Sequence, residues 1–291
     1  MAETNSGMWL NRSLRTSGCG TWWSASTDKW PALGLLQLEA ALMVPVAVQE
    51  RVAAAVSAVR AANPRGVLRT TELVVEARRA FLVVATRPTP TLEDLLAAWP
   101  TLAPGAAAGI AVDIAATLRD LHAVGLSHGD LTADTVVLTP GGSAVLIEVG
   151  VLAAVQDRPT DVGADVRNWS ALVRGLAVAT GSTPEAELLA QAAAIAESGD
   201  LATAARRLAT RAAELADFTD RESLVAALPS IPPAPPRIPA QRSNVDAVNP
   251  VRLRFGRGIP EAAIVAAASH PVRASLSQRV RQLFTSRSAP R

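Results

Sequence analysis

The apolar residues of this chain follow two periods, and the change of period divides it into a strand-rich first part and a helix-rich second part. Short runs with alternating apolar residues predict five strands, three within residues 8–38 and two at 67–75 and 80–85. Turns are expected near Ser17-Gly18 and Asp28-Lys29. A helix is predicted over 48–62, ending before Pro64.

The second part has mainly helical periodicity. Thr91 and Asp94 form a capping-box pattern that predicts a helix start. Residues 104–123 predict a long helix with one apolar stripe at Ile110, Ile114, Leu118 and Leu121. Two short strands at 135–138 and 144–147, joined by a Pro-Gly-Gly turn, are followed by helices over 164–180 and 184–227, with a break at 198–200. Strands followed by helices indicate an α+β protein.

The last sixty or so residues differ from the rest in composition. Residues 229–239 are proline-rich and predict an extended linker. Little periodicity follows over 240–273, and a short basic amphipathic helix is predicted over 274–284. Residues 231–291 hold ten arginines against two acids, so this tail has a formal charge of +8 and the remaining residues −6. The tail is expected either to contact an acidic protein face or anionic membrane, or to be a solvated linker; no specific nucleic-acid binding is expected.

Composition excludes several classes of function. The chain has no tyrosine, so it cannot be phosphorylated on tyrosine, and its single Cys19 excludes an internal disulfide and a cysteine-based metal cluster. The first eight residues are polar and lack the pattern of a secretion signal. No apolar run reaches the roughly eighteen residues that span a bilayer. We therefore expect a cytoplasmic protein.

The motif with the most chemical content is His128-Gly129-Asp130-Leu131-Thr132-Ala133-Asp134-Thr135, followed eighteen residues after Asp130 by Glu148-Val149-Gly150. Together with Leu118-Arg119-Asp120-Leu121-His122 before it, this stretch resembles the catalytic and metal-binding loops of bacterial serine/threonine protein kinases. The resemblance covers residues 8–228. It implies a two-lobed α+β kinase fold with a flexible N-terminus (1–7), an N-lobe (8–86), a C-lobe (87–228) and a largely disordered tail (229–291).

Several groups that the family uses for phosphoryl transfer are replaced. Against the family pattern, Gly129 stands for an arginine, Thr132 for the catalytic-loop lysine and Thr135 for the metal-binding asparagine. Glu148 stands for the metal-binding aspartate. The longer side chain moves its oxygens by about an ångström, and Mg²⁺ demands near-ideal octahedral geometry. The resemblance thus implies weak or no metal binding at Glu148 and Thr135.

Asp130 matches the catalytic base of the family. It is either that base or a structural remnant that binds backbone amides, and we favour the second interpretation. His128 is expected to be a core histidine.

The nucleotide-binding positions of the N-lobe are degenerate as well. The three glycines that admit phosphates to the backbone correspond to Arg15, Ser17 and Gly20, of which only Gly20 remains. The adenine-roofing valine corresponds to Trp22, which either fills the adenine slot or packs in the core. The phosphate-clamping lysine corresponds to Gln37.

Other expected cleft positions are equally incomplete. The hinge falls near Ala85, and the partner glutamate of the missing lysine should fall near Ala54. Lys29, the chain's one lysine, lies in a turn before the strand of Gln37. The resemblance therefore implies that ATP and Mg²⁺ are not required cofactors.

The activation segment is shortened. The aspartate that begins the buried C-lobe helix corresponds to Asp165, and only fourteen residues separate it from Gly150. No Ala-Pro-Glu motif lies between them, so the platform for a peptide substrate is largely missing. Thr160 is a candidate phosphorylation site in the remaining loop.

Three functional hypotheses follow. The first is a pseudokinase that binds a signalling partner or an upstream kinase. The second is an atypical serine/threonine kinase with Asp130 as base and Glu148 as metal ligand. The third is a nucleotide-sensing or structural domain whose function lies in the tail. The sequence favours the first, since losing one preorganised group costs on the order of 10² to 10³ in rate and several are lost here.

Overall fold

The described chain forms one strand-rich and one helix-rich compact unit. The computed structural model describes residues 7–26, 32–39, 42–43, 45–76, 79–214, 221, 225–226 and 252–254. The first unit comprises residues 1–57, 69–87 and 235–291, and the second 58–68 and 88–234. A sheet unit and a helical unit confirm the predicted α+β fold class. No helix of the described residues has the length and apolarity needed to cross a membrane.

The first unit is built on an antiparallel sheet. Its strands are β1 (Gly7–Thr16), β2 (Gly20–Ser26), β3 (Leu33–Leu38), β4 (Thr70–Glu76), β5 (Arg79–Val84) and β8 (Arg252–Arg254). Across the sheet they follow the order β4-β5-β3-β2-β1-β8. One face buries a cluster of apolar side chains, among them Leu35, Phe81 and Val83. Helix α1 (Val46–Ala62) buries Val48, Val52 and Val56, which are four residues apart and so share one side of the helix.

The fourth strand begins later than the sequence predicted. Val67 and Leu68 pair instead with Leu146 in the second unit, where the Leu68 amide donates to the Leu146 carbonyl at 2.8 Å and the Leu146 amide donates to the Gly66 carbonyl at 2.7 Å. Gly66 has φ +77°, and a Cβ there would lie 2.0 Å from Thr117 Oγ1. The turn before Val67 is therefore fixed by packing against Thr117.

The second unit is organised around one long buried helix. Its helices are α2 (Leu92–Ala98), α3 (Pro104–Ala123), α4 (Val151–Val155), α5 (Val162–Ala179), α6 (Pro184–Glu197) and α7 (Leu201–Glu214). The predicted capping box of Thr91 and Asp94 is confirmed. The predicted stripe of α3 is also confirmed, because Ile110, Ile114, Leu118 and Leu121 are all buried. Trp169 on α5 packs into the same core and donates from Nε1 to the Ala111 carbonyl at 3.0 Å.

A two-stranded hairpin, β6 (Val136–Leu138) and β7 (Ala144–Leu146), is held against α3 by a charged pair. Asp113 Oδ2 accepts from the Ala144 amide at 3.0 Å and from Arg221 Nη1 at 2.8 Å. Gly142 in the hairpin turn has φ +76°, and a Cβ there would lie 2.4 Å from the Arg221 Cβ. Arg221, beyond α7, thus fixes the hairpin through a contact that no local sequence pattern predicted.

The remaining differences are local. Residues 133–135 form a 3₁₀ turn, so the strand predicted from Thr135 begins at Val136. Neither α4 nor β8 was predicted. The helix predicted over 274–284, and Lys29, lie outside the described residues.

Candidate functional site

The catalytic-loop sequence is anchored by one buried carboxylate. Asp165, on the first turn of α5, has 0% exposure. Its Oδ2 accepts from the His128 amide at 2.7 Å and contacts His122 Nε2 at 2.9 Å, and its Oδ1 accepts from the Gly129 amide at 2.9 Å. Burial alone would raise the pKa of Asp165, but these donors outweigh it and hold the pKa below its ordinary value. The loop is therefore tied to α5 by charge-assisted bonds.

His128 lies inside this anchor. Its side chain is 0% exposed, and Nδ1 accepts from the Asp130 amide at 3.3 Å. Its Nε2 is buried with no hydrogen-bond partner of ordinary geometry among the described residues. Burial lowers the pKa of His128 to about 4, against the opposing effects of Asp165, the Ile147 backbone and Asp134. The imidazole is thus neutral at physiological pH.

Gly129 stands where kinases carry an arginine, and the local packing explains the glycine. Its φ is +83°, and a Cβ at this position would lie 3.0 Å from the Ala153 Cβ on α4. Helix α4 directly follows Gly150, whose amide donates to the His128 carbonyl at 2.8 Å. The segment after Gly150 is therefore folded onto the loop that contains Gly129, and Ala153 lies where a side chain at position 129 would begin.

Placing at position 129 the arginine that kinases carry is expected to destabilise the protein. Gly129→Arg should lower the free energy of unfolding by about 2 kcal/mol, because a left-handed residue with a Cβ costs about 1–2 kcal/mol and Ala153 must also move. Gly125→Ala is the matched control, since Gly125 has φ +75° with no heavy atom within 4 Å of the added Cβ. Urea denaturation measures both variants and also Gly129→Ala, whose side chain matches that of the control. Equal losses in Gly129→Ala and Gly125→Ala would show that Ala153 contributes nothing.

The Asp130 carboxyl is influenced by one acidic and one basic side chain, those of Asp134 and Arg158. Burial and the charge of Asp134 raise the pKa of its carboxyl, and the Arg158 guanidinium acts in the opposite direction. Arg158 follows α4, where its amide donates to the Ala153 carbonyl at 2.9 Å, and its Nη2 donates to the Gly129 carbonyl at 3.4 Å. No local sequence pattern predicted Arg158 here, because only the fold of the segment after Gly150 brings it to the loop.

Thr132 and Thr135 are used within the loop itself. Thr135 is 2% exposed; its Oγ1 accepts from the Thr132 amide and donates towards the Thr132 carbonyl, both at 3.0 Å. The Thr132 hydroxyl in turn donates to Asp134 Oδ1. These bonds close the 3₁₀ turn, so the Thr135 hydroxyl is engaged by backbone where the family places an outward-facing metal ligand.

Glu148 is the remaining candidate metal ligand. It is half-buried two residues after β7 and has φ +61°, a left-handed conformation that is uncommon for a residue with a side chain. Its carbonyl accepts from the Val151 amide at 3.0 Å, which begins α4. Within the described residues, no three His, Cys, Asp or Glu side chains are grouped to hold a metal. Mg²⁺ at phosphate sites is held by only one or two protein carboxylates, so the fit depends on Glu148 and on Thr135, whose hydroxyl already bonds the Thr132 backbone.

In the first unit, Gly20 is retained for a steric reason. It pairs with Leu38 across β2 and β3, and a Cβ on Gly20 would lie 2.0 Å from the Gln37 carbonyl oxygen. The glycine is therefore required by the sheet whether or not a phosphate binds. Gln37, in the lysine position, is half-buried on β3 opposite Thr21 and Phe81.

The Gly20 contact leads to a stability prediction. Gly20→Ala should cost about 1–3 kcal/mol of unfolding free energy, because backbone must move to admit the methyl group. Gly175→Ala is the control: Gly175 lies in α5 with no atom within 4 Å of the added Cβ, so alanine should be neutral or stabilising there. Thermal unfolding followed by circular dichroism distinguishes the two, and an unchanged Gly20→Ala variant would contradict the steric assignment.

The register of the sheet separates the two tryptophans of β2. Trp22 pairs with Leu36 and Trp23 with Leu35, so the indoles lie on opposite faces, and Trp23 shares its face with Gln37. Trp22 is 1% exposed, with the Arg15 guanidinium 5.5 Å from its ring centroid. Trp23 Nε1 is buried with no hydrogen-bond partner in the described part of the chain. The indole on the Gln37 face is therefore that of Trp23, which the sequence analysis did not select.

The other nucleotide positions carry few functional groups. Ala85 is exposed immediately after β5 and offers only its backbone. Ala54 lies on α1 with no carboxylate, and Glu50 is one turn earlier on the same helix. Gln37 and Ala54 thus do not form the charged lysine–glutamate pair with which kinases hold a triphosphate.

Comparison with known proteins agrees with this fold. The kinase domain of Mycobacterium tuberculosis PknI matches with a TM-score of 0.55 at 17% identity, covering 73% of this chain and 97% of that domain. The chain therefore has a protein kinase-like fold. The profile of the lipopolysaccharide kinase (Kdo/WaaP) family matches residues 36–152, less than half of the chain. A search of curated proteins finds no match.

Proposed function

We propose that this kinase-fold chain is a pseudokinase, a regulatory protein-binding module that does not transfer phosphate. The observation that carries the proposal is Thr135, whose hydroxyl is buried and bonded to loop backbone where a metal ligand is needed. In the same loop, a Cβ at Gly129 would lie 3.0 Å from the Cβ of Ala153 on α4. Thr132 supplies no cation. Three independent losses of preorganised groups would remove on the order of 10⁶ in rate.

The direct test is transfer of radiolabelled phosphate from ATP to the protein itself and to a generic protein substrate. We expect wild type and Asp130→Ala to give the same background. Asp161→Ala is the control, since Asp161 caps α5 and is exposed. Transfer by wild type and the control that is lost in Asp130→Ala would reject the pseudokinase proposal.

Two observations favour a second candidate, an active atypical kinase with Asp130 as base and Glu148 as metal ligand. The Kdo/WaaP profile covers the whole catalytic-loop region. Glu148 is held in a left-handed conformation, and such backbone strain concentrates at functional sites. The acceptor would then be a hydroxyl group of a lipopolysaccharide or a protein serine or threonine.

Nucleotide binding discriminates the two candidates. For a pseudokinase we expect no metal-dependent thermal stabilisation by ATP with Mg²⁺ or Mn²⁺. For an active kinase, stabilisation should need the metal and disappear in Glu148→Gln, while Glu187→Gln, at an exposed position of α6, should retain it. Phosphate transfer to lipopolysaccharide, tested beside a protein substrate, would identify the acceptor.

The partner in the proposed function is another protein, either a signalling partner or an upstream kinase. The tail supplies ten arginines against two acids and is suited to an acidic protein face or an anionic membrane. Pull-downs with the full chain and with all ten arginines changed to glutamine separate tail-dependent from tail-independent partners. Tail-dependent binding should weaken as salt is raised.

A further inference from the structure

A segment of the basic tail forms a strand of the first unit. Residues Arg252–Arg254 pair antiparallel with β1, opposite Trp9, Met8 and Gly7. This pairing makes β8 the outermost strand on that side of the sheet. The tail therefore has at least one docked segment among its described residues.

The position of β8 matches the regular part of the β1 edge. β1 runs from Gly7 to Thr16, and its pairing with β2 is shifted twice, between Leu10 and Arg12 and between Ser13 and Arg15. Such bulges bend and twist an edge and make it a poor template for another strand. The three residues that β8 covers all precede the first bulge, where the backbone can accept a strand.

The sequence of the tail agrees independently. Val251-Arg252-Leu253-Arg254-Phe255 alternates strictly between apolar and basic residues, and it is bounded by Pro250 and Gly256. Alternation between a proline and a glycine is a strand signal. This run lies inside residues 240–273, where the sequence analysis assigned no element.

We propose that the edge of β1 at Gly7–Trp9 is a strand-docking surface and that residues 252–254 of the same chain are its occupant. Main-chain pairing provides the affinity in this mode of recognition, and alternate side chains provide the specificity. The docking is exchangeable, because only three residue pairs hold it while the connection through the chain keeps the strand at high effective concentration. A second segment with the same alternation is thus recognised only when the tail strand is released. This surface acts independently of phosphate transfer, so it goes beyond the proposed function.

The first experiment uses hydrogen exchange of the full-length chain. Arg252→Pro/Leu253→Pro removes two consecutive amides, and since adjacent amides point to opposite edges of a strand, one of them faces β1 in any register. Ser243→Pro/Asn244→Pro is the matched control in the same tail. We expect faster exchange at the amides of Gly7–Trp9 only in the first variant. Equal exchange in all three proteins would overturn the proposal.

The second experiment measures recognition in trans. A fluorescent peptide of residues 249–257 is titrated into each protein and followed by anisotropy, with a scrambled peptide as the control. The peptide should bind the Arg252→Pro/Leu253→Pro variant roughly tenfold more tightly than wild type, because the tethered strand competes in wild type. No binding to that variant, or equal binding to all proteins, would overturn the proposal.

Sedimentation completes the test, because the strand can instead be exchanged between two copies. We expect wild type to be monomeric. A wild-type dimer that the double-proline variant abolishes would place the strand on a second copy and reject docking within one chain. None of the three experiments depends on whether Asp130 has catalytic activity. Failure of the strand-docking proposal is therefore distinct from failure of the pseudokinase proposal.

Discussion

Asp165→Ala is expected to lower the free energy of unfolding by about 3–5 kcal/mol, the typical cost of removing one partner from a buried charged network. The substitution leaves the amides of His128 and Gly129 without their acceptor. Each unsatisfied buried donor costs about 1–3 kcal/mol. The loss should be measured by urea denaturation at pH 7 with intrinsic tryptophan fluorescence, because Trp169 lies on the same helix.

Two further variants separate charge from geometry. Asp165→Asn retains one acceptor oxygen and should lose less stability than the alanine variant. Asp161→Ala removes an exposed N-cap of the same helix, whose Oδ1 accepts from the Ala164 amide, and should cost about 1 kcal/mol. If Asp165→Ala cost no more than Asp161→Ala, the loop would not depend on this anchor.

The same carboxylate sets an acid limit. The pKa of Asp165 is lowered in the folded protein because donated bonds outweigh burial, so the stabilisation is present above the unfolded-state pKa of about 4 and is lost as pH falls through the folded pKa. Acid unfolding of wild type should therefore steepen below pH 4. This component should be absent in Asp165→Asn.

His128 is expected to give the second large effect, at a higher pH. Burial lowers its pKa from 6.5 to about 4, so between these values the unfolded chain binds a proton that the folded protein does not. The stabilisation that neutral His128 contributes is therefore fully present above pH 6.5 and is lost as pH decreases towards 4. A difference of about 2.5 pKa units corresponds to about 3 kcal/mol, of which about 2 kcal/mol should be lost by pH 5.

His128→Asn tests this assignment, because its side-chain oxygen can replace Nδ1 as acceptor for the Asp130 amide without a proton to gain. Urea denaturation at pH 7 and pH 5 should show a difference about 2 kcal/mol smaller in the variant than in wild type. His122→Asn supplies the comparison, since His122 contacts the same carboxylate from a half-buried position. An unchanged pH dependence in His128→Asn would assign the acid sensitivity to other groups.

Much of the fold followed from local sequence patterns. The stripe of α3 and the capping box of Thr91 were predicted correctly because both depend on residues three or four apart in the chain. The short α4 was missed, since its apolar run carries no capping side chain. The candidate site residues were found by resemblance to kinases, and their roles remain predictions.

The sequence by itself determined the type of most helices and strands and showed which charged groups of a kinase are replaced, because those facts reside in single residues and short periods. Tertiary structure alone decided which face of β2 carries Trp23, that Arg158 lies at the catalytic loop, and that Arg221 reaches Asp113 across 108 residues. The physical reason is that a shift of one residue in strand register moves every side chain of the strand to the opposite face of the sheet. Contacts distant in sequence likewise depend on the packing of the whole unit, which no local period encodes.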